Sequence, residues 1–138
     1  LLTRTSPDLS FFPRAIENFF PNLEVFAIDY SNITVLHGDE LNPFVNLTWF
    51  GIYASPLERI SGNLFNATPL MNTNRFISNN IKYVGAELYS NLPNLVFLDF
   101  FFNYCVHQRA SNSTAIQSLI EHLRTNCTDI DEDLVEFS

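Results

Sequence analysis

The chain has 138 residues, of which 46% are hydrophobic, and this size suits one globular domain with a buried core. Fifteen acidic residues against seven basic ones give a formal net charge of -8, which repels phosphate backbones and argues against a nucleic-acid partner. The longest apolar stretch, residues 95–102, is interrupted by Asp99 and is far shorter than the roughly 18 residues of a membrane span, so we expect no membrane span in this chain.

The first segment of the chain is a partial copy of a repeat. It starts with Leu1 rather than Met, and its apolar residues fit the register of the copies that follow. These residues are Leu2, Leu9, Phe12, Ile16 and Phe20. We expect a processed or shortened chain that lacks upstream repeats, with an unpaired strand edge and uncovered apolar side chains at this end.

Residues 23–104 repeat with a period of 24 residues. The columns at the start of each copy are Leu23, Leu47, Met71 and Leu95, then Phe26, Phe50, Asn74 and Leu98, then Ile28, Ile52, Phe76 and Phe100. Their alternation with period two predicts a short strand with one buried face, and neighbouring copies should stack these strands into a parallel sheet. Asn74 interrupts an apolar column and predicts altered packing in the third copy.

The second half of each copy returns the chain to the next strand and has apolar columns of its own. They are Ile33, Leu57, Ile81 and Cys105, then Leu36, Ile60 and Val84, then Leu41, Phe65 and Tyr89. Between the two halves, just after each strand, stands a polar column of Ser31, Ser55, Asn79 and Asn103. Short polar side chains can bond the backbone of a turn there, so we interpret this column as structural rather than catalytic.

A helix follows where the period ends, after Cys105. The apolar residues of this segment recur at helical spacing, at Ile116, Leu119, Ile120 and Leu123. The spacing predicts a helix over about 113–126. Three residues are available to cap its first turn: Asn112, Ser113 and Thr114. The tail, 129–138, is acidic, and we expect it to fray.

With these copies the chain resembles the extracellular leucine-rich repeat family over nearly its whole length. The matching copies are Leu23-x-x-Phe26-x-Ile28-x-x-Ser31-x-Ile33 and Leu95-x-x-Leu98-x-Phe100-x-x-Asn103-x-Cys105, and the linkers are Phe20-Pro21-Asn22-Leu23 and Leu92-Pro93-Asn94-Leu95. The departures are Ser31 and Ser55, which stand where the family has Asn, and Asn74, which stands in a core column. The resemblance implies an α/β repeat solenoid with short parallel strands on a concave face, an irregular or helical convex side and a C-terminal capping helix. It divides a single domain, 1–138, into a partial first repeat (1–22), repeats (23–104), a C-terminal cap (105–128) and an acidic tail (129–138).

Two features favour a secreted protein. The two cysteines, Cys105 and Cys127, are an even count that favours one disulfide, which would tie the predicted helix to the last strand. Five Asn-x-Ser/Thr triplets occur where about two are expected by chance. Their acceptors are Asn32, Asn46, Asn66, Asn112 and Asn126. We therefore expect an extracellular glycoprotein.

The exposed side of the predicted sheet is the candidate binding surface. Large aromatic residues and arginine there are the types that contribute most binding energy at protein interfaces. The candidates are Trp49, Tyr53, Arg75, Phe97, Asp99 and Phe101. Arg75 and Asp99 are one period apart, so we expect them to pair as exposed neighbours on adjacent strands. The alternative is that sheets favour aromatic residues and that the chain itself, or a missing segment, covers these.

The function expected from these features is extracellular recognition of a protein partner through the concave sheet. The alternative is a structural or self-assembling protein that packs through its uncapped end and aromatic face. A small apolar ligand against Phe97 and Phe101 is a third, weaker possibility because an open sheet encloses nothing. We expect no enzyme, cofactor or metal site: the acids Asp29 and Asp99 would lie about 14 Å apart, beyond the roughly 5–9.5 Å of a carboxylate pair. The three histidines are scattered, and His107, the nearest to a cysteine, has no further ligand at metal spacing.

Overall fold

The computed structural model describes residues 10 and 12–128 and, for residues 2–4, the backbone. This part of the chain winds as a solenoid of about three coils built mainly from short strands. The strands are β1 (Leu2–Arg4), β2 (Val25–Asp29), β3 (Val35–Leu36), β4 (Trp49–Tyr53), β5 (Arg59–Ile60), β6 (Thr73–Arg75), β7 (Tyr83–Val84), β8 (Phe97–Asp99) and β9 (Arg109–Ala110). A 3-10 helix (Ile16–Asn18) lies between β1 and β2, and one α-helix, α1 (Ser113–Asn126), follows β9. The side chains of Leu2 and Leu9 and the tail 129–138 lie outside the described residues.

The larger sheet, called the front sheet here, has the strand order β1-β2-β4-β6-β8-β9. From β2 to β8 its strands are parallel, and each residue pairs with the residue one period later, as in Val25 with Trp49 and Trp49 with Thr73. This confirms the predicted parallel register. In β1, however, Leu2 pairs with Ala27 and not with Phe26, because the connection from β1 to β2 contains one residue more than the later copies.

A second sheet, the back sheet, contains β3, β5 and β7. The expected convex side was irregular or helical; between residues 23 and 104 it is mostly turns and irregular chain with one two-residue strand in each of three copies, and it has no helix. Leu36, Ile60 and Val84 form one of the predicted apolar columns, and all three are buried. Burial of this column aligns the backbones, so that the Ser61 N–H donates to the Leu36 carbonyl and the Gly85 N–H donates to the Ile60 carbonyl, both at 2.9 Å. Strands of two residues are too short to leave an alternating pattern in the sequence.

The core between the sheets contains a chain of phenylalanine rings. Successive centroids are 5.9 Å apart from Phe26 to Phe50, 6.0 Å from Phe50 to Phe76, and 5.3 Å from Phe76 to Phe100. The chain of rings changes column at the third copy, where Asn74 replaces the first phenylalanine and Phe76 replaces the isoleucine. Asn74 is fully buried, its Nδ2 donates to the Thr73 carbonyl at 2.9 Å, and its Oδ1 has no partner. Packing continues through the third copy because Phe76 supplies the missing ring.

The polar column forms a ladder across the turns, as predicted. Ser31 Oγ donates to Ser55 Oγ at 2.9 Å, and the Ser55 N–H donates to Asn79 Oδ1 at 3.0 Å. Asn103 continues the ladder, since its Oδ1 accepts from the Ile81 N–H and its Nδ2 donates to the Phe76 carbonyl at 2.7 Å. The residue before each ladder position has a left-handed backbone with a positive φ: Tyr30 (55°), Ala54 (50°), Ser78 (60°) and Phe102 (61°). Each strand therefore ends in the same turn.

The C-terminal cap confirms the predicted helix and disulfide. Asn112 Oδ1 accepts from the Ala115 N–H at 2.8 Å at the start of α1. The apolar stripe of α1 is buried: Ile116, Leu119, Ile120 and Leu123. Cys105 and Cys127 are bonded, with Cα atoms 5.4 Å apart. The sequence did not reveal β9, which runs antiparallel to β8 and closes this end of the front sheet.

At the other end, β1 pairs with β2 on one side and with no further strand of the described chain. The expectation that Phe12 would be uncovered was wrong. Phe12 is only 6% exposed, and its ring centroid lies 5.2 Å from that of Phe26. None of the helices in the described part of the chain is long and apolar enough to cross a membrane.

Candidate recognition surface

Two aromatic rings lie side by side on the outer face of the front sheet. Trp49 and Tyr53 are both on β4, four residues apart, with ring centroids 6.4 Å from each other. Gly51, between them on the same face, has no side chain to separate them. A Cβ built on Gly51 would stand 3.1 and 3.2 Å from two carbons of the indole, so the Trp49 ring lies across the glycine. The sequence marked both rings as candidates but not the glycine.

Arg75 stands on the next strand, directly opposite Gly51 in the register. The carbon of its guanidinium lies 4.9 Å from the centre of the Phe97 ring on β8. Its Nε is buried and has no hydrogen-bond acceptor. Within the described part of the chain, this guanidinium forms no ion pair. Arg75 therefore presents a half-buried cation among aromatic side chains.

The expected Arg75–Asp99 pair is a wrong prediction, although the two residues do face each other in the register. Asp99 pairs with Arg109 instead, whose Nε and Nη2 both lie 2.8 Å from its Oδ2. Asp99 Oδ1 accepts from the Phe101 N–H at 3.1 Å. The antiparallel strand β9 places Arg109 directly opposite Asp99, and the acid is 0% exposed. Asp99 thus anchors the end of the sheet and is not an exposed polar contact.

The Arg109 guanidinium also covers part of the aromatic surface, since its carbon lies 4.4 Å from the centre of the Phe101 ring. A further aromatic group, which sequence reasoning missed, adjoins Phe101. The His107 ring lies 4.7 Å from Phe101 and 4.8 Å from Phe102, and its Nδ1 accepts from the Phe102 N–H at 2.9 Å. Phe102 is 64% exposed. His107 follows the last repeat, so no period links it to these rings.

The electrostatics of the surface centre on Tyr53. Burial raises the pKa of its phenol, the positive charge of Arg75 opposes that rise, and the negative charges of Asp99 and Asp29 add to it. The net pKa is above the ordinary value of 10.0, so Tyr53 keeps its proton at neutral pH and its hydroxyl remains a hydrogen-bond donor. Among the described residues, the surface therefore combines a cation without an ion pair (Arg75), a cation paired with Asp99 (Arg109), one neutral phenol and several apolar rings.

The five possible sugar acceptors do not belong to the strands that form this surface. All of them are exposed, and all lie outside the strands of the front sheet: Asn32, Asn46, Asn66, Asn112 and Asn126. Two are already engaged in α1, where Asn112 caps the first turn and Asn126 Nδ2 donates to the His122 carbonyl at 3.2 Å. None of the five side chains therefore stands on a front strand.

The described residues contain no group of three or more His, Cys, Asp or Glu side chains placed to hold a metal ion. No model of a known protein family matches the sequence, and no curated protein is significantly similar to it. The candidate surface is thus defined by its own geometry. Five of the six predicted site residues line the outer face of the front sheet or its edge, half-buried: Trp49, Tyr53, Arg75, Phe97 and Phe101. The sixth, Asp99, lies beneath them.

Proposed function

We propose that this chain is an extracellular leucine-rich repeat protein that recognises a protein partner through the outer face of its front sheet. The observation that supports the proposal most strongly is the row of half-buried aromatic rings around Arg75 on three adjacent parallel strands. Tryptophan, tyrosine and arginine are the residues most often found at the energetic centre of protein interfaces. Each ring here still has surface that a partner can bury.

The placement outside the cell rests on the disulfide and the glycosylation motifs. A buried disulfide such as Cys105–Cys127 persists in oxidising compartments and is rare in the cytosol. Five exposed acceptor asparagines fit a glycosylated surface. The leucine-rich repeat assignment rests on the period, the parallel front sheet and the polar ladder at each turn.

The test uses Trp49 as its reporter, because it is the only tryptophan in the chain. The folded, glycosylated protein is screened against an array of extracellular domains, and each hit is titrated while tryptophan emission is recorded. The emission should change on binding. Trp49→Ala and Phe97→Ala should each weaken binding by about tenfold or more, as central interface residues do, and calorimetry measures this because Trp49→Ala has no tryptophan left.

Tyr83→Phe and Val45→Ala provide matched controls, since Tyr83 lies on the back sheet and the exposed Val45 lies outside the front strands. Both should bind like the unaltered chain. Partners that bind without any effect of Trp49→Ala or Phe97→Ala, or a domain array with no partner at all, would contradict the proposal.

Self-association is a second candidate function, and one observation favours it. The segment before β2 and the first residue of that strand expose apolar side chains: Phe19 (79% exposed), Phe20 and Val25. They border an open cleft of about 420 Å³. Sedimentation decides between the candidates, because a single monomeric species across a wide concentration range excludes self-assembly. A dimer that Phe19→Ser disrupts would support it.

A further inference from the structure

The Arg75 side chain is incompletely satisfied. Its Nε is buried without an acceptor, and a buried donor that lacks a partner destabilises the site. The rest of its guanidinium stands over the Phe97 ring in a half-buried position. An arginine in such a position has a strong preference for a planar anion, because its donors match the two oxygens of a carboxylate.

Within the part of the chain that the structure describes, no acid fills this role. Asp99, the acid directly opposite Arg75 in the register, binds Arg109 through two contacts of 2.8 Å and the Phe101 N–H through a third. Asp29 lies two strands away, on β2. The nearby hydroxyl of Tyr53 is protonated at neutral pH and offers another donor. The centre of the surface is therefore rich in donors and poor in acceptors.

We propose that Arg75 is the docking point for an aspartate or glutamate side chain of the protein partner. This inference rests on the proposed function and states what the partner must bring. The aromatic rings on either side exclude water, which strengthens a charged hydrogen bond between the two proteins. Because the chain as a whole has a net charge of -8, a strongly acidic partner is repelled. The complementary segment is a single acid flanked by apolar residues.

The experiment selects short random peptides, displayed on phage, against the folded chain. Each selected peptide is then synthesised in two forms, one with its acid and one with the matching amide (Asp→Asn or Glu→Gln), with both ends blocked to remove the terminal carboxylate. Binding of both forms is measured through Trp49 emission on the unaltered chain and on Arg75→Gln. Replacing the acid should weaken binding to the unaltered chain by about tenfold or more, and to Arg75→Gln by less than about threefold.

The matched control is Arg59→Gln. Arg59 also stands over an aromatic ring, 4.0 Å from the centre of Tyr83, but on the back sheet. The variant Arg59→Gln should bind the acid form of each peptide over the amide form as strongly as the unaltered chain does. Should Arg75→Gln fail to fold, Arg75→Lys serves in its place: it keeps the charge, loses the planar donors, and should reduce the preference while leaving it detectable.

The outcomes separate this inference from the proposed function. Peptides whose binding needs Trp49 but shows no preference for an acid, or whose preference survives in Arg75→Gln, overturn the inference and leave the recognition surface in place. Peptides that bind Trp49→Ala as well as the unaltered chain, measured by calorimetry because this variant has no tryptophan, occupy another part of the molecule and contradict both. A selection without any binder also counts against both.

Discussion

Gly51 is the residue on which the shape of the front surface depends. A Cβ there would stand 3.0 Å from the Arg75 carbonyl oxygen and 3.1 Å from the Trp49 ring, closer than side chains normally approach. Gly51→Ala should therefore displace the indole. We expect a shift in tryptophan emission and weaker partner binding, with a stability loss of about 1 kcal/mol or less if the ring can move.

The control for Gly51→Ala is Gly62→Ala. A Cβ at Gly62 would meet its neighbours at 3.4 Å, an ordinary contact, and lies away from the front strands. It should leave the tryptophan emission unchanged. An unaltered emission spectrum in Gly51→Ala would show that the indole does not depend on the glycine.

Asp99 allows a direct test of which arginine it binds. Removing its charge in Asp99→Asn leaves Arg109 without its partner, and we expect a loss of about 1–3 kcal/mol in the free energy of unfolding. The estimate lies below the range for fully buried pairs because the Arg109 side chain is 48% exposed. Urea unfolding of single and double variants measures the coupling. The coupling energy should be measurable between Asp99→Asn and Arg109→Gln and near zero between Asp99→Asn and Arg75→Gln. The reverse result would show that Asp99 pairs with Arg75, as the register suggested.

At the scale of the element, each front strand of the repeats is followed within three residues by a left-handed residue, and none of these four is glycine. Such a backbone is unfavourable for an L-residue by about 1 kcal/mol. Ala54, with a φ of 50°, is the simplest case because its side chain is only a methyl group. Ala54→Gly should hold or raise the melting temperature, since relief of strain offsets the greater freedom of glycine in the unfolded chain.

Ala27→Gly is the comparison for this variant. Ala27 lies buried within β2, where the backbone is extended, so glycine there should lower stability by about 0.5–1 kcal/mol or more. Equal losses in the two variants would show that the turn does not strain Ala54.

The C-terminal cap is the second element whose contribution to the free energy of unfolding can be measured. The disulfide closes a loop whose ends are 22 residues apart, and on the chain-entropy account it adds roughly 3 kcal/mol to stability. It also holds the end of α1 against the repeats, where the Val84 N–H donates to the Cys127 carbonyl at 2.8 Å. Unfolding of Cys105→Ser with Cys127→Ser, compared with the oxidised chain, should show a loss of that size. A loss below about 1 kcal/mol would mean that the buried stripe of α1 holds the cap alone.

At the scale of the whole molecule, the 24-residue period predicted the structure of the repeated copies correctly. It gave wrong predictions at the two ends of the chain, where the repetition stops. Phe26 and Phe50 could be placed in the core from the sequence because each occupies the same position in its copy. Arg109 could not be placed, since β9 has two residues and belongs to no copy. The same holds for the shift at Leu2, where one additional residue in the first connection changes the register. For the same reason, the aromatic rings of the candidate surface could be predicted from the repeat, whereas the ion pair of Asp99 could not.

The distribution of sugar motifs over the molecule leads to the last prediction. If the chain is secreted, glycosylation should reach the exposed acceptors and leave the front surface free, because none of the five lies on a front strand. Mass spectrometry of the chain from a secretory host should find sugars on several sites, and enzymatic removal should leave partner binding unchanged.

The variants that remove single glycosylation motifs must not disturb the fold. Thr114→Ala removes the motif at Asn112 while keeping its cap on α1. Asn66→Gln is preferable to a change at Thr68, which is fully buried and donates to the Phe65 carbonyl. A sugar whose removal restores or abolishes binding would place the recognition surface beside that asparagine and away from Trp49 and Arg75.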